Sequence, residues 1–218
     1  MEKCQIRCMG RLASVAAVFA MAFVAMSMGL PGVSLAEQVE TCLSCHPSRA
    51  STPSESIVTG VPALTGQHPE YIVKQLERFS AAAEGNEDPY RRFSIVMGHV
   101  AKELPASERL NIARKLSAQT CAFHGNPDPP SVEPNACAVC HGARGITKNP
   151  DVPNLAGQDL RYLFYQYQKL REPYLPDVPG ILAATKPVRL HPVMGPVGAQ
   201  LHDNVVSVLI YFSKLPCR

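Results

Sequence analysis

Two stretches, Cys42-Leu43-Ser44-Cys45-His46 and Cys137-Ala138-Val139-Cys140-His141, decide how this chain is read. Each is a C-x-x-C pair with histidine directly after it. Cysteines three apart on one helical turn share a face, so both thiols can bond the edge of one flat partner. The histidine beside the second cysteine then turns an imidazole nitrogen toward that partner's centre. This is the spacing of c-type haem attachment, with two thioether bonds to vinyl groups and an imidazole on iron. Other readings of paired cysteines fit less well. A thioredoxin-like redox motif needs a βαβ setting, and no strand pattern lies near either site. Adjacent Cys and His cannot easily fill two corners of one zinc tetrahedron. A plain disulfide leaves both histidines unexplained. The expected cofactors are therefore two covalently bound haem c groups, attached through Cys42, Cys45, Cys137 and Cys140, with His46 and His141 on the irons.

Outward from the motifs, the chain repeats itself. Val61-Pro62-Ala63-Leu64-Thr65-Gly66-Gln67-His68-Pro69-Glu70-Tyr71 aligns without a gap to Val152-Pro153-Asn154-Leu155-Ala156-Gly157-Gln158-Asp159-Leu160-Arg161-Tyr162. Gln75 and Gln166 each follow four residues after the tyrosine. Farther on, Val96-Met97-Gly98 corresponds to Val193-Met194-Gly195, each with a leucine seven residues past the methionine, Leu104 and Leu201. An internal repeat of this kind marks duplicated structural units. Apolar spacing predicts helices over about 69–83 and 158–171, and closing helices over about 105–119 and 198–214. Pro69 suits an opening helical turn, where its missing donor is not needed. Gly125-Asn126-Pro127-Asp128-Pro129-Pro130 cannot be helical and reads as a linker. Each half has roughly 85 residues, small for an unaided core, and a large apolar macrocycle would complete the interior.

The sixth ligands are sought in the same repeat. Met97 and Met194 occupy one slot in the two halves, 51 residues after His46 and 53 after His141, in what read as Gly- or Pro-bearing loops. Methionine opposite histidine fills both axial positions and raises the potential. The competing ligands His99 and His191 fall at +2 and −3 from their methionines and do not correspond across the repeat. His68, His124 and His202 read as surface or cap residues. Tyr71 and Tyr162 read as core aromatics with an occasional role near a propionate.

Residues 1–36 have the form of a cleaved signal peptide: Lys3, Arg7 and Arg11, an apolar run from Leu12 to Leu30, then Ser34-Leu35-Ala36 before Glu37. An uncleaved anchor is the alternative, since a run of 19 residues (12–30) just spans a bilayer. No later segment reaches that length, so the processed chain is expected to be soluble and periplasmic. Removing the signal's charges leaves 18 basic against 17 acidic residues. There is no basic face for nucleic acid. Of eight cysteines, Cys4 and Cys8 leave with the signal, and Cys121 and Cys217 attach no haem. These two end equivalent helices, either as separate thiols or as a pair joining the halves.

Taken together, the order CxxCH, P-x-L-x-G-Q-x-x-x-Y, Met and closing helix, given twice, resembles the dihaem cytochrome c4 family. The resemblance implies an all-α fold of two tandem class I cytochrome c domains related by a pseudo-two-fold axis, with propionate edges facing one another. It places an N-terminal domain at 37–124, a Pro-rich linker at 125–134 and a C-terminal domain at 135–218. It implies a single-electron carrier, not an enzyme, running between a quinol- or dehydrogenase-linked donor and a terminal oxidase. It also implies that the Pro62 and Pro153 carbonyls accept the Nδ1 protons of His46 and His141. The chain departs from the family in His46-Pro47-Ser48, where glycine usually follows the histidine. It departs again in a Pro-rich insertion from Pro173 to Pro192. A second resemblance, to the dihaem subunit of flavocytochrome c sulfide dehydrogenase, would make the chain the partner of a flavoprotein subunit. A dihaem peroxidase is disfavoured, because both methionine slots are filled.

Overall fold

The computed structural model describes residues 34–46, 60–119, 135–175, 189–201 and 205–217. The chain divides into two units, Met1–Ser34 and Leu35–Arg218, and every helix described below belongs to the second. Nearly all of the expected signal peptide, the linker 125–134, Pro47-Ser48, the middle of the Pro-rich insertion, Cys121, His124 and His202 lie outside the described residues.

Eight α-helices and one 3-10 turn, with no strand, make up the described residues. In the first half, α1 (Leu35–Cys45) carries Cys42 and Cys45, followed by α2 (Pro69–Ala83), α3 (Ile95–Glu103) and α4 (Ala106–Ser117). The second half gives α5 (Asn135–His141), α6 (Leu160–Arg171), α7 (Met194–Gln200) and α8 (Val205–Lys214), with the 3-10 turn Glu172–Tyr174 after α6. The two halves thus repeat one order of elements.

Local chemistry sets the boundaries. Helix α2 opens on Pro69 with Glu70 in its first turn, where a carboxylate meets the positive end of the helix dipole. Its buried Ile72, Leu76 and Phe79 fall at helical spacing. Helix α6 begins two residues later than the apolar spacing predicts, because Asp159 caps it by accepting from the Tyr162 amide, and buries Leu163, Tyr167 and Leu170. The predicted closing helix over 198–214 is instead two helices. Leu201 is extended (φ −81°, ψ 119°) and ends α7, as Leu104 (φ −82°, ψ 115°) ends α3. A helix stops where one residue leaves the α region, and both leucines do so at the same point of the repeat.

Each half packs its second helix against its third and fourth, and α1 also lies on α4. Leu64 in the first half joins one core of Ile72, Leu76, Phe79, Ala101 and Ala113 to another of Val39, Ile112 and Leu116. Leu155 plays that part in the second half, between Leu163, Tyr167, Val205 and Leu209 and a cluster of Ala156, Val208, Phe212 and Leu215.

The halves meet through their repeated Gly-Gln segments. Gln158 clamps Ala63 of the first half: Oε1 accepts from its amide at 2.8 Å and Nε2 donates to its carbonyl at 2.9 Å. Gln67 does the same to Asn154, the residue equivalent to Ala63, at 2.9 and 3.2 Å. Reciprocal contacts between equivalent residues are what a two-fold relation generates. His68 at the α2 N-cap adds a bond from Nε2 to the Thr147 carbonyl at 2.9 Å. The exposed Lys74–Asp151 pair at 2.8 Å contributes little by comparison.

Candidate haem-binding sites

Both attachment motifs sit where a helix ends. Helix α1 stops at Cys45, with the His46 amide still bonded to the Cys42 carbonyl at 2.9 Å, and α5 stops at His141. The inner cysteines Cys42 and Cys137 are half-buried, while Cys45 and Cys140 are exposed, and all four are unpaired. Burial, chiefly, pushes the Cys42 and Cys137 thiols up, and the neighbouring cysteine of each pair adds to this. Neither Cys42 nor Cys137 is set up as a low-pKa redox nucleophile. What each motif presents instead is one apolar thiol and one accessible thiol along an edge.

The histidines turn inward. His46 and His141 are 8% and 4% exposed. Nδ1 of each lies 2.8 Å from a proline carbonyl, Pro62 and Pro153 respectively. A carbonyl can only accept, so Nδ1 carries the proton and Nε2 keeps its lone pair for a metal. Burial holds both imidazoles below the usual histidine range, against a smaller opposing effect of the carbonyl bond. They are neutral, as ligation requires. After His141, Gly142 adopts φ +80°, and a Cβ there would collide with the Ile146 carbonyl. Glycine is required at that turn.

The methionines are not in loops, which is where their glycine and proline neighbours would put them. Met97 is the third residue of α3, and its amide donates to the Ser94 side chain that caps the helix. Met194 is the first residue of α7. Ser94 supplies a cap that outweighs the loop-forming tendency of Gly98, and in the second half His191 takes that place. Its Nδ1 accepts from the amides of Val193 and Met194 at 3.3 and 3.1 Å. Met97 packs on the first core cluster and both methionines are half-buried. The competing ligand His99 is exposed, and His191 is occupied as a cap.

Two pairs of residues have roles that do not announce themselves in the sequence. One is Gln67 and Gln158, whose amides hold the halves together. The other is Arg92 and Arg189, each five residues before its methionine and both buried, at 8% and 7% exposed. That common offset is the signal that could have found them. The Arg92 amide bonds the Arg78 carbonyl and the Arg189 amide bonds the equivalent Lys169 carbonyl, at 3.0 and 3.3 Å.

A cytochrome c4 of Thiocapsa roseopersicina is 32% identical to this chain over 201 residues, covering 85% of this chain and 92% of that one. The chain belongs to the cytochrome c4 family. A cytochrome c-552 of Acidithiobacillus ferridurans is 26% identical over 140 residues, 57% of either chain. Among solved structures, reduced cytochrome c4 of Pseudomonas stutzeri superposes with a TM-score of 0.60 at 23% identity, covering 82% of this chain and 95% of that one. Cytochrome c4 of Acidithiobacillus ferrooxidans gives 0.57 at 21% identity, covering 81% and 99%. A thiosulfate dehydrogenase of Marichromatium purpuratum gives 0.56 at 24% identity, covering 81% of this chain and 36% of that one, a likeness of fold alone. No family model matches the chain. As a cytochrome c4 it is an all-α, two-domain class I cytochrome c and a dihaem c-type electron carrier with two covalently bound haem c groups. The haem irons supply the one-electron chemistry. The neutral, Nδ1-protonated histidines and the unpaired cysteine pairs of this chain are the donor set that such a group needs.

Proposed function

We propose that this cytochrome c4 is a periplasmic carrier that passes single electrons from quinol- or dehydrogenase-linked donors to a terminal oxidase, and that it catalyses no substrate conversion of its own. Cys42 and Cys45 hold one haem and Cys137 and Cys140 the other, in domains spanning 37–124 and 135–218. His46 with Met97, and His141 with Met194, would be the residues that hold the two irons. One observation carries this reading. The same buried histidine, with its Nδ1 proton on a proline carbonyl at 2.8 Å, occurs twice behind the same motif. Fixing the tautomer and strengthening the imidazole as a ligand would suit an iron that only passes electrons. Export rests on the signal-like 1–36 segment, and no helix among the described residues is long and apolar enough to cross a membrane.

The test combines mass, spectrum and turnover. The processed polypeptide is expected to start at Glu37 and to carry two haems that survive acid–acetone extraction. Its reduced form is expected to give no carbon monoxide difference spectrum and to be oxidised by oxidase-containing membranes. A mass with one haem or none ends the dihaem assignment of these motifs. A strong carbon monoxide response would point to an open iron and hence to catalysis.

A further inference from the structure

Where α2 and α6 face one another, two arginines are buried without a counter-charge. Arg92 Nη1 donates to Gln75 Oε1 at 2.9 Å, and its Nη2 reaches Tyr162 Oη and Gln166 Oε1, both at 3.3 Å. Arg189 Nη1 donates to Gln166 Oε1 at 2.8 Å, and its Nη2 reaches Gln75 Oε1 at 3.1 Å and Tyr71 Oη at 3.4 Å. Every acceptor is neutral. Among the described residues no carboxylate lies within ion-pair distance of either guanidinium, the exposed Lys74–Asp151 pair being elsewhere. The two cations also repel each other: burial first, and then Arg189, holds Arg92 below the ordinary arginine range. Arg92 gains some relief by lying 4.4 Å over the Phe79 ring.

Burying one charge unpaired costs several kcal/mol, and two like charges side by side cost more. Such a pair persists when an anion completes it. The polar atoms around the arginines show that something is missing: Arg189 Nε and Gln75 Nε2 are buried donors with no acceptor. Burial opposes a phenolate at Tyr162, even though Arg92 and Arg189 beside it pull that phenol below the usual tyrosine range, and a carboxylic acid gives up its proton far more readily than any phenol. Two haem c groups bring four propionate carboxylates into this molecule. They are the carboxylates that the chain itself does not provide here.

We propose that Arg92 and Arg189 form one shared clamp on haem propionates from both halves and that this clamp sets the two redox potentials together. This inference rests on the two-haem assignment made above. The sharing follows from the contacts, because each guanidinium touches Gln75 and Gln166 at once and also the tyrosine of the opposite half. A charge removed at either position is therefore felt on both sides. The sign is fixed by electrostatics: a nearby cation favours the ferrous over the ferric state, so its loss lowers a potential.

The assignment is tested first on unaltered protein. A crystal structure of the haem-loaded chain is expected to show propionate oxygens within about 3.2 Å of both guanidinium groups. Propionates directed elsewhere, with water, a phenolate or a bound inorganic anion against the arginines, would overturn it. Arg92→Gln and Arg189→Gln are then compared with wild type by potentiometric titration. Each is expected to keep two covalent haems and to lower both midpoints. A fall confined to one haem, or none at all, overturns the shared clamp. If a Gln variant does not assemble, Arg92→Lys and Arg189→Lys retain the charge without the bidentate fork, and a smaller fall in both midpoints is expected. Failure of the underlying assignment would appear separately, as wild type lacking two haems or the methionine–iron absorption band.

Discussion

At the scale of single residues, the axial assignment gives the sharpest expectation. Met97→Ala and Met194→Ala should each abolish one sulfur–iron charge-transfer band and lower one midpoint potential, leaving the other site nearly intact. His99→Ala should do neither, since His99 is exposed. Loss of the band in the histidine variant would reverse the assignment. His191 has a different task, and a different signature. Burial, and then the nearby Arg189, Arg78, Lys74 and His141, lower it from the ordinary 6.5 to about 4. The folded state therefore binds this proton more weakly than the unfolded state does. The stability it contributes is complete above about pH 6.5 and is lost as pH falls toward about 4. Urea midpoints of wild type should fall across that window, and His191→Asn, which keeps an acceptor for the α7 amides, should flatten the profile. An unchanged slope would remove His191 as the source. The two C-x-x-C-H motifs stand out in the sequence because the attachment chemistry proposed for them asks for one fixed spacing. Arg92 and Arg189 do not, because a charged residue in a polar-looking segment gives no sign of burial until its partners are known.

Elements were legible in proportion to how much of their stability is local. Helix α2 matches the predicted 69–83, since Pro69, Glu70 and a strong apolar stripe all mark it. The break between α7 and α8 was hidden. In the first half Pro105 punctuates the turn after Leu104, whereas His202 follows Leu201 and carries no such signal. The extended conformation of Leu201 comes from packing, with the Tyr167 hydroxyl donating to the Leu201 and Gly198 carbonyls at 2.8 and 3.0 Å. The segments before α2 and α6 make a prediction at this scale. Each of Gln67 and Gln158 satisfies one amide and one carbonyl of the opposite half. Truncation leaves both groups without partners, at roughly 1–3 kcal/mol for each buried group left unmade. Gln67→Ala and Gln158→Ala should each lower the denaturant midpoint by a similar amount, with haem content unchanged. A large loss from one and none from the other would break the reciprocity on which the two-fold relation rests.

For the whole molecule, the duplication visible in the sequence marks two equivalent halves and the family resemblance implied their two-fold arrangement, but neither told what holds them together. The repeat shows which residues are equivalent; only the fold shows that Gln67, Gln158, Arg92 and Arg189 work across the halves. The two cysteines that attach no haem belong to the same question. Cys217 is disulfide-bonded and 9% exposed. It lies where the halves meet: a Cβ built on Gly157 would stand 3.1 Å from its Sγ, and one built on Gly66 would stand 2.9 Å from its carbonyl oxygen. These two glycines are equivalent, and both have positive φ, +71° at Gly66 and +64° at Gly157. The Gly66 amide also bonds the Ser117 carbonyl, four residues before Cys121 in sequence, as the Gly157 amide bonds the Phe212 carbonyl. Cys121 lies outside the described residues, but the repeat makes it the counterpart of Cys217, and we expect it to be the partner. A bridge closing so long a loop would contribute about 4–5 kcal/mol on the chain-entropy model, less any native strain. Alkylation of the denatured, non-reduced protein should label no cysteine, and reduction should expose two, since the four motif cysteines are held as thioethers. Peptide mapping should then place those two labels on Cys121 and Cys217. Labelling of Cys121 before reduction would show that Cys217 is bridged to a different cysteine and that the closing helices of the two halves are not tied to each other.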